Sequence, residues 1–158
     1  MEKELDSVKE MWEKYLKSIG EKVESTKLTY ESWYFGYNEE LANSLVKLVI
    51  NGAKRATMSL YFFYQIEGEE LPKEGDLNII TDFSGNAQCI IKTTAVDLIP
   101  FSKVGEEFAY REGEGDKSLK YWREAHIKAF TCELKEFNKE FNEDLLVVCE
   151  EFEVVYPI

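Results

Sequence analysis

The segment Asn51 to Ser59, NGAKRATMS, sets an amine and a hydroxyl three residues apart, Lys54 and Thr57, just after a glycine. Such a pair can do chemistry. A lysine held in a low-dielectric cleft gives up its proton more easily. It could then activate the Thr57 hydroxyl as a nucleophile, or stay charged and stabilise an oxyanion; spacing alone leaves both open, along with a plain surface lysine. A second candidate lies in YREGEGDKSLKYWREAH, where glycines flank Glu112 and Glu114. Glycine lets backbone approach a ligand closely, and a carboxylate there could act as general acid or base. The same residues also suit an ordinary polar loop leading into a capped helix. Trp122 and His126, one helical turn apart, fit core packing with the imidazole bonded to backbone. The aromatic clusters WYFG, with Tyr34 and Phe35, and LYFFY can stack bases or simply fill a core.

Other familiar chemistry is missing from the pattern. GAKRAT lacks the glycine spacing of a phosphate-binding P-loop, and there is no GxSxG elbow, HExxH helix or dinucleotide GxGxxG after a strand. One histidine and three dispersed cysteines, Cys89, Cys132 and Cys149, do not make a transition-metal set, so the expectation is no metal and no cofactor, with reduced thiols.

The elements that must position these residues can be laid out from periodicity. Val8, Met11, Trp12, Tyr15, Leu16 and Ile19 predict a first helix, with Asp6 as N-cap and Gly20 as stop. Asn38 is the expected cap of a second helix that presents Leu41, Leu45, Leu48 and Val49 on one face and ends at Asn51-Gly52 with the glycine at positive φ. TMSLYFFYQI then reads as a strand, LNIIT as another, DFSGN as a hairpin loop, and AQCIIKTTAVDLI as a long strand bulged near Thr93-Thr94 and ended by Pro100. Ser102 is expected to cap a short helix through Phe108 and Ala109; REGEGD is read as loop; Asp116 is expected to cap a helix carrying Leu119, Trp122, Ala125, His126 and Phe130. DLLVVCEEFEVVYPI closes the chain as strand. Strands without βαβ alternation predict an α+β fold, a small mixed β-barrel, closed or nearly closed, with flanking helices on one side.

The 158 residues suit one domain, expected to span 1–158 with a helical extension over about 1–30. A net charge of −12 opposes loose binding to long duplex nucleic acid, which needs a positive field, and favours a small substrate or a short single strand. No apolar run is long enough to span a bilayer and MEKELDSVKE has no apolar leader, so the expected location is cytoplasmic, with no membrane partner.

The ordered set WYFGYNEELANSLVKLVINGAKRATMS, LIPFSKVGEEFAYREGEGDKSLKYWREAH and VVCEEFEVVY closely resembles the ASCH (ASC-1 homology) family, in its longer bacterial branch with FG, GxKxAT, EGEGD-SL-YW and CE-F motifs. The resemblance runs from about Ser32 onward. It implies a PUA-like β-barrel that binds RNA or nucleoside-like ligands beside the GxKxxT segment. Small relatives are amidohydrolases of N4-acetylcytidine that use the motif Lys and Thr with a downstream Glu; another relative is a ribonuclease. Carried over, the catalytic set is Lys54, Thr57 and Glu112, with Glu114 the rival of Glu112. Tyr34, Phe35, Arg55, Glu114 and Trp122 are the expected substrate-binding residues. This chain is longer than those enzymes and its EGEGD loop is not theirs, so chemistry carries over better than substrate. The implied functions are an amidohydrolase of an acylated pyrimidine nucleoside, a non-catalytic RNA- or nucleotide-binding module, or, ranked lower, a metal-independent ribonuclease. Lys54→Ala is expected to cost little stability.

Overall fold

A computed structural model describes residues 4–157. Five strands form one sheet in the order β1-β3-β4-β5-β2: β1 Glu31–Trp33, β2 Ala56–Leu60, β3 Leu77–Thr81, β4 Ala87–Pro100 and β5 Leu146–Tyr156. Only β1 and β3 run parallel; the other neighbours are antiparallel. The result is the expected α+β, PUA-like architecture, with differences in closure and in helix placement. The sheet curls into a half-barrel, and its edge strands β1 and β2 do not pair with each other.

Alternation along the strands divides the sheet into two faces. Leu77, Ile79 and Ile90 point to one face, where helix α1 (Asp6–Ser18) lays down Val8, Trp12, Tyr15 and Leu16. Ile80, Cys89, Ile91 and Phe152 point to the other, where helix α2 (Glu39–Ile50) supplies Leu45, Val46 and Val49. Helices therefore cover both faces, not one side as expected. A third core gathers Met58, Leu60, Val147 and Cys149 under helix α5 (Leu119–Lys135), with Phe101 stacked on Trp122 at 5.2 Å between centroids. Burying each large apolar side chain in these cores contributes about 1.5–3 kcal/mol.

The expected bulge is present: the β4–β5 register shifts between Thr93 and Ala95. Helix α2 begins at Asn38, whose side chain accepts from the Leu41 amide, and ends at Asn51 with Gly52 at φ 85°.

Several local expectations are corrected. The strand after Thr57 stops at Leu60, and Tyr61–Glu67 form helix α3, because four consecutive bulky residues without alternation pack their half-buried rings as a helical turn beside Phe137. Asp6 is the first residue of α1, not its cap; Leu5 takes that position with no side-chain bond, and the Asp6 carboxylate faces the positive end of the helix dipole. The helix expected from Ser102 is split: Phe101–Lys103 form a 3-10 turn, and α4 (Glu106–Glu112) starts after Gly105. Arg111 and Glu112 thus belong to a helix, not to the loop. The cap of α5 is Ser118, whose hydroxyl accepts from the Tyr121 amide, while Asp116 bonds the Ser118 amide instead.

Candidate functional site

Lys54 reaches its position through a tight backbone fold. Gly52 reverses the chain, the Lys54 amide returns to the Leu48 carbonyl at 3.0 Å, and the Ala53 amide donates to Asn51 Oδ1 at 2.9 Å. Arg55 then ties two distant elements through its own backbone. Its amide donates to the Arg111 carbonyl of α4 at 2.7 Å, and its carbonyl accepts from the Phe152 amide of β5 at 3.0 Å. The end of α4 is thereby pinned to the start of β2. Gly113, at φ 71°, completes the join: a Cβ there would lie 2.1 Å from the Ala53 carbonyl oxygen, so only glycine lets the loop close over Lys54.

The Lys54 side chain is 2% exposed. Its ammonium donates to the Ala56 carbonyl at 2.8 Å and to Glu114 Oε2 at 3.2 Å, and lies 3.6 Å from Glu112 Oε2. It also sits 5.3 Å from the centroid of Phe35, whose ring stacks on Phe152. Glu112 is equally buried, and its Oε2 is 3.5 Å from His126 Nε2. The other imidazole nitrogen, Nδ1, meets the Trp122 carbonyl at 2.8 Å. A ring that donates to a carbonyl at one nitrogen and faces a carboxylate at the other is best satisfied as imidazolium.

The electrostatics separate the two glutamates. Burial pushes Glu112 up, but the Lys54 ammonium and the His126 hydrogen bond overcome it and hold the carboxyl at about 2. Burial raises Glu114 and the adjacent Glu112 raises it further, against the pull of Lys54, so it lies above the usual carboxylate range. Burial lowers His126, yet its bond to Glu112 raises it overall. Lys54 and His126 therefore share one strongly acidic carboxylate, with a more weakly acidic one beside it. Glu112 Oε1 is buried with no hydrogen-bond partner among the described residues. A divalent cation would find donor atoms of Glu112, Glu114 and His126 within 4.8 Å of one another, but it would have to displace the Lys54 ammonium already seated between the carboxylates.

The site residues expected from the sequence divide into two groups. Lys54, Glu112, Glu114 and Phe35 come together. Thr57 lies half-buried on β2, pointing away from the face that buries Met58 and Leu60, and makes no hydrogen bond to Lys54 or Glu112 among the described residues. Its cross-strand partner is Glu150. Tyr34 is exposed and packs on Phe83. Arg55 is exposed and bonds the Gly52 carbonyl, away from the cluster. Trp122 has no free face for a base: Phe101 stacks on it and His126 lies 4.6 Å away. A cavity of about 690 Å³ on the half-barrel includes none of Lys54, Thr57 and Glu112; Tyr30, Trp33, Tyr64, Asp76 and Glu150 are among its walls. The ion cluster is the better candidate for chemistry, because its perturbed acid–base groups Glu112, Glu114 and His126 lie close to one another beside the Lys54 ammonium. The two are linked through β5, where Glu150 and Phe152 point to one face, about 6.8 Å apart. Two members of this region were not expected. The sequence predicts packing and a backbone bond for His126, and the bond to the Trp122 carbonyl is present, but its contact with Glu112 is new; Glu150, a carboxylate at an inward-facing position between buried Val148 and Phe152, carries no sequence motif.

No helix among the described residues is long and apolar enough to cross a membrane. No curated protein matches the chain. Among solved structures, an ASCH domain from Lactobacillus crispatus JV V101 superposes with TM-score 0.87 at 37% identity, covering 97% of this chain and 96% of that one. Protein EF3133 from Enterococcus faecalis V583 gives TM-score 0.84 at 38% identity over 94% of this chain and 88% of that one. Hypothetical protein PH0355, at 20% identity, TM-score 0.51 and coverage of 80% and 98%, shares the fold alone. The ASCH domain model matches residues 31–156, from the first residue of β1 to the last of β5, and the chain belongs to the ASCH domain family, a PUA-like RNA-binding fold.

Proposed function

We propose that this ASCH domain is an amidohydrolase that removes an acyl group from the base of a pyrimidine nucleoside, free or at the end of a short single strand. The observation that carries this reading is the pairing of Lys54 with two carboxylates of unequal acidity. Glu112 is the fixed counter-ion that faces both Lys54 and His126 and holds them in place. Glu114, more exposed than Glu112 and raised above the ordinary carboxylate range, suits proton transfer. The charged Lys54 suits stabilisation of the oxyanion that forms when the amide carbonyl is attacked. Thr57 supplies the nucleophile. Catalytic pairs are often loose until substrate is bound, so the lack of a Thr57–Lys54 hydrogen bond does not oppose this role. As Thr57 attacks, Glu114 takes its hydroxyl proton and passes it to the amine, which leaves as the C–N bond breaks; water then attacks the acyl-enzyme and gives a proton to Glu114, which returns it to the Thr57 oxygen as the ester C–O bond breaks and the carboxylic acid departs.

The test is a panel of acylated and unmodified nucleosides incubated with the protein and followed by mass spectrometry. Loss of the acyl mass in wild type, absent in Glu114→Gln, is the expected result. No turnover on any acylated nucleoside would remove the hydrolase reading.

A second reading, a module that binds without turnover, is favoured by one observation: Lys54 and Glu112 are each only 2% exposed. A salt titration of RNA binding separates the two. A steep fall in affinity with salt marks many phosphate contacts, which nucleoside hydrolysis does not require.

A further inference from the structure

The cavity of about 690 Å³ on the half-barrel stands apart from the chemistry above, since none of Lys54, Thr57, Glu112 and Glu114 lines it. Its size falls within the roughly 300–1,000 Å³ of small-molecule sites. Two features of its walls define what it can hold. The first is charge. Glu31, Glu69, Glu70, Asp76 and Glu150 stand against two lysines, one of which, Lys73, is already paired with Glu70 at 3.7 Å. On a chain of net charge −12, such a lining repels anions and concentrates cations. The second is aromatic surface. Trp33 Nε1 donates to Asn78 Oδ1 at 2.9 Å, Tyr30 donates its hydroxyl proton to Glu4 at 2.6 Å, and the Tyr64 hydroxyl meets Ser59 Oγ at 3.0 Å. With their polar ends engaged, these side chains offer a ligand ring surface, which attracts methylene groups and cations alike.

A buried acceptor sits among these walls. Glu150 is 8% exposed. Thr93 donates to its Oε1 at 2.7 Å, whereas its Oε2 has no hydrogen-bond partner among the described residues. A buried carboxylate oxygen without a donor is costly. Glu150 lines the cavity, so a donor entering there can reach that oxygen. Burial raises the Tyr64 hydroxyl, and the charges of Glu150, Glu69 and Glu31 raise it further, against the Ser59 bond. Three of the acids thus act on one point of the wall. Their spacing decides between a metal ion and a larger cation. Among the described residues, only Glu112, Glu114 and His126 bring three ligand atoms within 4.8 Å of one another. The cavity acids do not converge as metal ligands must. They run from buried Glu150 through half-buried Asp76 to exposed Glu31, Glu69 and Glu70. That gradient of depth suits a cation whose charges sit at separate points on an apolar chain.

We propose that this cavity binds a linear aliphatic di- or polyammonium ion. One primary ammonium donates to Glu150 Oε2. The methylene chain lies along the rings of Tyr30, Trp33 and Tyr64, and a second ammonium meets the exposed acids. The ammonium at Glu150 must be primary or secondary, because a quaternary nitrogen has no N–H to give the buried oxygen. The site is separate from the Lys54 cluster and does not depend on the hydrolase reading.

Titration calorimetry at physiological salt with spermidine, putrescine, tetramethylammonium and magnesium ions tests this. Spermidine is expected to bind once per chain, and putrescine more weakly, with no saturable heat from tetramethylammonium or magnesium. Glu150→Gln should weaken spermidine binding at least about tenfold, the scale of a hydrogen bond to a charged group, without lowering the melting temperature. In wild type, spermidine should shift the indole N–H resonance of Trp33 and leave that of Trp122, beside the Lys54 cluster, in place. This readout needs no variant to fold. Several spermidines per chain, or displacement by magnesium, would mean attraction to surface charge alone and overturn the site. Equal binding of tetramethylammonium, an unmoved Trp33 resonance, an affinity that survives Glu150→Gln, or no binding of spermidine would each overturn it as well.

Discussion

Lys54 and Glu112, 58 residues apart in the chain, meet as a buried ion pair with Nζ 3.6 Å from Oε2 and each side chain 2% exposed. This changes what the pair is worth. A surface lysine could be removed almost freely, but a lysine that neutralises a buried carboxylate cannot. Lys54→Ala should therefore cost on the order of 3–5 kcal/mol, because it leaves Glu112 buried and under-compensated. Adding Glu112→Gln removes the orphaned charge, so the double variant should be more stable than Lys54→Ala alone. Urea unfolding of the two variants reads the difference. A double variant less stable than the single one would show that the pair's charge is not what matters. The expectation from sequence, that Lys54→Ala is structurally mild, is overturned by this burial.

The same network fixes a pH signature. Glu112 is held at about 2, below its ordinary 4.5, so its contribution is complete above 4.5 and is lost as pH falls toward about 2. His126 is raised above 6.5, so its contribution is complete below 6.5 and is lost as pH rises through its folded value. Glu114, raised above 4.5, runs the other way and lowers stability as pH climbs past 4.5. Wild type compared with His126→Asn isolates one limb. The wild-type advantage in unfolding free energy should be largest below 6.5 and shrink on the alkaline side. An advantage independent of pH would mean that folding leaves the titration of the imidazole unshifted.

Gly113 and Gly68 have nearly the same backbone angle, φ 71° and 68°, but different surroundings. A Cβ at Gly68 meets nothing within 4 Å, whereas one at Gly113 would lie 2.1 Å from the Ala53 carbonyl oxygen. Gly68→Ala should show only the conformational cost, on the order of 1 kcal/mol. Gly113→Ala must also push the loop off Ala53 and should lower the melting temperature by clearly more. Equal losses in the two variants would mean that the loop is not seated on the Lys54 segment.

How legible this arrangement is in the sequence depends on which interaction places each residue. The cap at Asn38, the stop at Gly52 and the bulge by Thr94 follow from local chemistry, and they stand where the pattern puts them. The strand written into LYFFY fails at Leu60 because aromatic residues favour a strand and a buried helix alike, and packing against Phe137 decides. Glu112 reads as loop in the sequence because the glycines after it dominate the local signal. Its place at the end of α4, and hence its contact with Lys54, depends on the Arg55–Arg111 backbone bond between distant segments. Family resemblance brought Lys54, Thr57 and Glu112 together as a list. It could not say that Thr57 and Lys54 leave the same turn on different courses, because that depends on how β2 pairs with β5.

Thr57 gives the sharpest test of the proposed chemistry. Its hydroxyl makes no hydrogen bond to Lys54 or Glu112, its strand neighbours Met58 and Leu60 are core, and its cross-strand partner is Glu150. Replacing the hydroxyl by a methyl group hardly changes volume, so Thr57→Val should leave the melting temperature within a degree or two of wild type; the side chain is half-buried and valine suits a strand. If the hydroxyl is the nucleophile, that substitution should lower kcat for an acylated nucleoside by about a thousandfold or more, the scale of losing an activated nucleophile. Thr57→Ser keeps the oxygen but frees its rotamer, and should retain part of the activity. Intact-mass analysis of a quenched reaction should show an acyl adduct in wild type and in Thr57→Ser, and none in Thr57→Val. A fully active Thr57→Val without adduct would assign the attack to water, with Glu114 as its base, and would leave Thr57 as a wall of the site beside Glu150.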